Sequence, residues 1–208
     1  MTIDERALGR VQALRRQVVI LAILTVAAAL LVVAPRESGD TDYHVWIEFG
    51  GFVAILAAIA LRLWCTLYIG DRKNDEIVAT GPYSVCRNPL YVGSILGAVG
   101  VGMQTGMASF AVLGGLICWA IFAVVVRREE AFLHRRFGPA YARYCARTPR
   151  FWPRLGLYDE GAGAGVFTTR SLRKTLRDGA VFLLALPLTE VIEDLHEAGL
   201  LPTLLSLY

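Results

Sequence analysis

From Asn88 to Val126 the chain runs for 39 residues without a charged side chain. As a helix rising about 1.5 Å per residue, that stretch is roughly twice the length needed to cross a 30 Å hydrocarbon core. It therefore reads as two crossings, 89–104 and 107–126, joined by a turn near Gln104-Thr105-Gly106. Two more apolar stretches precede it. Residues 17–34 carry no charge, and 49–70 are interrupted only by Arg62. The first is too long for a signal-peptide core, and Ala34-Pro35-Arg36 is a poor cleavage site. Hydrophobic residues make up 55% of the chain and charged ones 19%, against about 45–50% and 25% in soluble domains. A disordered chain and a collagen-like repeat are excluded, and the four cysteines show neither disulfide-framework nor zinc spacing.

Lys and Arg orient the spans. Residues 1–16 hold four, the 35–47 loop one, the 71–87 loop three and residues 127–178 twelve. The positive-inside rule then puts the N-terminus, the 71–87 loop and the 127–178 segment in the cytoplasm. The expected fold is all-α: a polytopic membrane bundle of four spans, with cytoplasmic helices over 127–147. A C-terminal extension, 157–208, follows the 1–156 core. Gly161–Gly165 reads as a flexible joint. Leu184, Leu188, Val191, Ile192 and Leu195 have helical spacing, so the tail is either an interfacial amphipathic helix or a fifth crossing with its acidic end on the far side.

Two polar clusters flank the uncharged hairpin, where polar groups are costly unless used. In Gly81-Pro82-Tyr83-Ser84-Val85-Cys86-Arg87-Asn88-Pro89-Leu90-Tyr91-Val92-Gly93, Gly81-Pro82 signals a turn. Asn88-Pro89 reads as an N-cap followed by proline at the first helical position. The helix start beside Arg87 suits a carboxylate or phosphate; the alternative is a plain cap with Arg87 on lipid phosphate. In the second cluster Glu129, Leu133 and Phe137 recur every four residues, which puts a carboxylate on a buried stripe where it needs a partner. The alternative there is a juxtamembrane helix of Arg–Glu pairs on anionic lipid. Gly138-Pro139 ends that helix. Arg62 reads as an interfacial anchor, and Gly93-x-x-x-Gly97 and Gly102-x-x-x-Gly106 as close-packing sites. His44, His134 and His196 share no metal-ligand spacing, so no metal is expected, and nucleotide and nucleophile-elbow motifs are absent.

The two clusters resemble the integral-membrane methyltransferases of the isoprenylcysteine carboxyl methyltransferase family and their phospholipid methyltransferase relatives. GPYSVCRNPLYVG matches the family's G-P-Y-x-x-x-R-H-P-x-Y-x-G. EEAFLHRRFGPAYARY, followed by TPRFWP at Thr148–Pro153, matches its second motif. The match covers roughly residues 75–153. The resemblance implies S-adenosyl-L-methionine (SAM) as cofactor, a methyl transfer at the cytoplasmic membrane edge, and a lipophilic acceptor reached from the bilayer. It assigns cofactor contacts to Asp75, Glu76, Ile77, Val78, Tyr83, Asn88, Pro89, Leu90, Tyr91 and Glu129. It leaves Arg87, Asn88 and Glu130 as catalytic candidates.

Two departures bear on the chemistry. Asn88 stands where the family has His and cannot carry a proton near neutral pH. Val125 stands where the isoprenylcysteine branch has an Arg for the substrate carboxylate, so a prenylcysteine acceptor is not supported. The expected setting is a multi-pass protein of a prokaryotic inner membrane, with membrane lipids as partners and no nucleic acid. A related NADPH-dependent membrane reductase and a non-enzymatic scaffold are the competing readings.

Overall fold

The computed structural model describes residues 31–35, 42–70, 75–161 and 168–207. Most of the expected first span, 17–34, lies outside them, as do the basic residues of 1–16 and part of the Gly161–Gly165 joint. Apart from one pair of three-residue strands, the described chain is helical. Helix α1 spans Asp42–Ile69 and a short α2 spans Pro82–Val85. Then come α3 (Pro89–Met103), α4 (Ala108–Phe137) and α5 (Pro139–Arg147). A second run comprises α6 (Thr169–Ala180), a 3₁₀ turn (Val181–Leu184) and α7 (Ala185–Glu197).

The hairpin expected from the uncharged stretch is present, turning at Gln104–Gly106 with Gly106 at φ 66°. Among the described residues two helices, α1 and α4, are long and apolar enough to cross a membrane. With 30 residues, α4 is about 45 Å long, and its charge-free part ends at Val126. The boundary expected there does not interrupt the helix, which carries Arg127–Phe137 onward without a break. No glycine or proline intervenes between Cys118 and Gly138 to break it. At its other end, α1 begins seven residues before the expected span, because polar Asp42, His44 and Glu48 are helical too.

Apolar side chains on α1 (Trp46, Phe49, Val53), α4 (Val112, Leu116, Trp119) and the C-terminal run (Leu176, Val181, Leu184) face outward. An exterior so rich in exposed apolar groups is foreign to a soluble monomer. The interior is closed by small residues instead. A Cβ on Gly100 would lie 2.9 Å from the Gly51 carbonyl oxygen, and one on Gly97 would lie 2.9 Å from the Phe182 ring. Arg62 turns inward rather than reaching for the interface: its guanidinium donates to Ser94 Oγ at 2.5 Å. Gly93 makes room for it, since a side chain there would meet the Arg62 stem at 3.0 Å.

The C-terminal run packs along the bundle from end to end. Thr175 Oγ1 lies 2.9 Å from Thr66 Oγ1 near the end of α1, and Glu193 reaches His44 near its start. These contacts lay the tail alongside α1, with its acidic end at the opposite end of the bundle from Glu129. Val33–Pro35 pairs in parallel with Leu205–Leu207, with Val33 opposite Leu205.

Replacing Gly100 with Leu is expected to destabilise the protein by about 1–3 kcal/mol through overpacking. Gly156→Ala, where the added carbon meets nothing within 4 Å, should be neutral. Reversible unfolding in detergent micelles checks both.

Candidate functional site

The segment joining α1 to α3 is tied down by the chain that follows α5. Gly81 adopts φ 58°, with the Tyr68 ring packed where its side chain would be. Its N–H donates to the Asp159 carbonyl at 2.6 Å, and Ser84 Oγ accepts the Asp159 N–H at 3.0 Å. The Arg87 N–H donates to Pro149 O at 2.9 Å, and the Arg154 N–H to Val85 O at 3.0 Å. Between them the fully buried Cys86 thiol points at the carbonyls of Arg150 and Phe151, at 3.4 and 3.3 Å. Burial pushes this thiol's pKa up to about 11, which keeps it protonated and able to donate. The Tyr144 hydroxyl adds a bond to Tyr83 O at 2.7 Å.

Glu130, on α4, closes this assembly. Arg87 Nη1 lies 3.1 Å from its Oε1, while Arg150 donates to Oε2 from Nε (3.0 Å) and Nη2 (2.7 Å). The carboxylate is 5% exposed, so this is a desolvated, charge-assisted pairing. Its hydrogen bond raises the Arg150 pKa further. Asn88 joins the same carboxylate, and here the sequence expectation needs correction. Asn88 does precede α3, and its carbonyl accepts the Tyr91 and Val92 N–H groups at 3.0 and 3.2 Å. Its side chain makes no cap. Nδ2 donates instead to Glu130 Oε1 (3.3 Å) and to Arg150 O (3.1 Å). A charged acceptor outbids a local amide for that donor.

Glu129 is the neighbour of Glu130 and points about 100° away around the helix. It is 8% exposed and accepts the Tyr91 hydroxyl at 3.0 Å. Tyr91 in turn packs on Phe122, with ring centroids 4.6 Å apart, in a core with Val125 and Val126 that Phe151 flanks. The sequence reading missed Phe122 and Arg150. Phe122 had a signal in its spacing, seven residues before Glu129 on the same helix face. Arg150 stood in the quoted TPRFWP strip, but its pairing across twenty residues leaves no local pattern.

The other expected cofactor residues divide. Asp75 pairs with Arg136 at 3.4 Å. Since Arg136 lies two turns beyond Glu129, the loop carrying Asp75 and Glu76 meets the Glu129 face of α4. Val78 and Leu90 pack around Cys65, Tyr68 and Tyr83, and Ile77 is half-buried. The Tyr83 hydroxyl is buried without a hydrogen bond, and burial holds its pKa well above the usual value. Pro89 faces a separate apolar cleft of about 410 Å³ on the α1 side, lined also by Leu61, Trp64, Val85, Cys86, Val92, Leu155 and Tyr158.

A family model described as phospholipid methyltransferase matches residues 45–140, which take in α1, the turn, Tyr91 and both glutamates. The cobalt-zinc-cadmium resistance protein CzcN of Cupriavidus metallidurans is 36% identical over 182 residues, covering 88% of this chain and 83% of that protein. The chain belongs to the phospholipid methyltransferase-like family. The nickel-cobalt-cadmium resistance protein NccN of Alcaligenes xylosoxydans xylosoxydans is another relative, 34% identical over 89% of this chain and 86% of its own. The protein-S-isoprenylcysteine O-methyltransferase of Schizosaccharomyces pombe is 34% identical over 38% of this chain and 34% of its own. No solved structure gives a significant match. In this phospholipid methyltransferase-like member, Val125 is 6% exposed within the Tyr91–Phe122 core. That position offers an acceptor carboxylate no cation.

Removing the Glu130 charge leaves the half-buried Arg87 guanidinium short of its partner. Glu130→Gln is accordingly expected to cost about 3 kcal/mol in a detergent unfolding experiment. The Cys86 thiol gives a pH signature. Unfolded, it ionises near about 8.5, but folded only near about 11. Its contribution to stability is therefore complete below about pH 8.5 and fades as pH climbs through about 11. Cys86→Ala should flatten that part of the alkaline stability profile.

Proposed function

We propose that the protein is a SAM-dependent methyltransferase that acts on a lipophilic or amphiphilic acceptor at the cytoplasmic edge of the membrane. The observation that carries this reading is the Glu129–Tyr91–Phe122 group beside the start of α3. A buried carboxylate suits the cofactor's ammonium or a ribose hydroxyl. Aromatic faces suit a sulfonium cation, and the helix start suits a carboxylate. The residues present therefore fit the cofactor, with Glu129, Tyr91, the α3 N-terminus and the Asp75–Val78 loop holding it.

When bound, SAM supplies an activated methyl group for in-line displacement by a nucleophile. The chain's own task is placement and exclusion of water. Asn88 is spent on Glu130 and Arg150, and Glu130 is spent on two arginines. Neither is left to take a proton, so the acceptor arrives already nucleophilic, as a carboxylate, thiolate or amine. Its apolar part occupies the cleft of about 410 Å³. Trp152 and Leu155, 83% and 79% exposed, suit the membrane interface beside it. CzcN and NccN are named as metal-resistance proteins. We take a cell under divalent-metal stress as the setting for this chain's methyl transfer too.

In lipid nanodiscs, isothermal titration should detect SAM binding. Glu129→Gln should weaken it by about tenfold or more, or ~1.4 kcal/mol, with Tyr91→Phe giving a smaller loss. A folded wild type that binds no SAM would overturn the reading. Incubation with SAM and a host lipid extract, followed by mass spectrometry, identifies the acceptor as the species that gains one CH₂.

A further inference from the structure

At the end of the bundle opposite Glu129, ligand-type side chains from two distant segments converge. His44, in the first turn of α1, is 2% exposed, its ring packed against Gly106 of the hairpin turn. Its Nε2 stands 3.3 Å from Glu48 Oε1, one turn along α1, and 3.3 Å from Glu193 Oε1 on α7. All three ligand atoms lie within 4.8 Å of one another. Gln104, at the hairpin turn, donates from Nε2 to the Glu48 carbonyl at 2.6 Å and helps hold that turn of α1 in place.

One further atom at this end, His196 Nε2, is buried without a hydrogen bond. His196 Nδ1 lies 3.0 Å from the Ile192 carbonyl. A carbonyl only accepts, so Nδ1 carries a proton, and Nε2 is the ring nitrogen turned away from that bond. A backbone bond of this kind on one nitrogen is how metal-binding histidines are oriented. Glu193 and His196 also line a cavity of about 20 Å³ next to this cluster, with Val33, Thr105, Met107, Thr189 and Ile192 as its other walls. A single water or ion requires about 10–15 Å³.

We propose that His44, Glu48 and Glu193 bind one divalent transition-metal ion, with His196 in the neighbouring cavity as a further donor. An imidazole-plus-carboxylate set favours zinc-like ions over magnesium or calcium. A tetrahedral zinc ion with bonds of about 2.0–2.1 Å spaces its ligands about 3.3–3.4 Å apart, which matches both His44 distances. The site is distinct from the one proposed for SAM.

The test uses the full chain, without a histidine tag, in nanodiscs. Cobalt(II) titration followed by visible d–d absorption should show one ion per chain, displaced by zinc. Glu193→Gln and His44→Gln should each weaken binding by about tenfold or more, with Glu129→Gln leaving it unchanged. X-ray absorption on the zinc-loaded wild type should show nitrogen and oxygen ligands only, a readout that holds even if a variant does not fold. Absence of binding by the wild type, a sulfur shell from one of the four cysteines, or wild-type affinity in folded Glu193→Gln and His44→Gln variants would each overturn the proposal.

Discussion

One carboxylate, Glu130, ties α4 to two segments of the chain that are themselves bonded to each other. It sits on α4, and its oxygens are shared by Arg87 from the turn before α3 and Arg150 from the strip after α5. Stripping such a group of water is costly, and only close, well-directed donors offset the cost. The donors are fixed by the backbone bonds between the turn and the strip. Those bonds in turn hold the start of α3, and with it Tyr91, at hydrogen-bonding distance from Glu129. The arrangement gives adjacent glutamates different work. One is consumed by arginines, so that the other is left facing aromatic rings.

Small residues set the spacing that makes this possible. Gly93 and Gly100 let α3 lie against α1, and Gly102 lets it lie against α4. A bundle wrapped in apolar side chains gains little from burying more of them, so contact between backbones takes over as the organising interaction. The polar residues inside, Ser94, Gln104 and Thr105, are buried and bonded to neighbouring groups.

Sequence reasoning succeeded where information is local. The hairpin turn followed from a charge-free run of known length, and the burial of Glu129 followed from its place on the stripe with Leu133 and Phe137. It failed where a partner comes from far along the chain. Asn88 looks like a cap until Glu130, forty-two residues away, claims its amide. Arg62 looks like an interfacial anchor until Gly93 opens a path to Ser94. The lie of the C-terminal helices was undecidable because Gly179–Thr189 is too short to announce a crossing. Contacts with Thr66, Ile59 and His44 decide how it packs. His44 and Glu193 meet only because the C-terminal helix packs back on α1, which no local spacing announces.

The unbroken course of α4 from Ala108 to Phe137 has a mechanical meaning. Both glutamates are rigidly joined to the apolar part of that helix, so neither can approach or retreat without tilting the whole rod. Motion that opens or closes the Glu129 face must therefore belong to what is pinned against the rod: the Asp75–Asn88 loop and the Thr148–Asp159 strip. Because hydrogen bonds stitch these two together at Gly81, Ser84, Val85 and Arg87, they would swing as a single flap. The latch of that flap is the pair of arginines on Glu130.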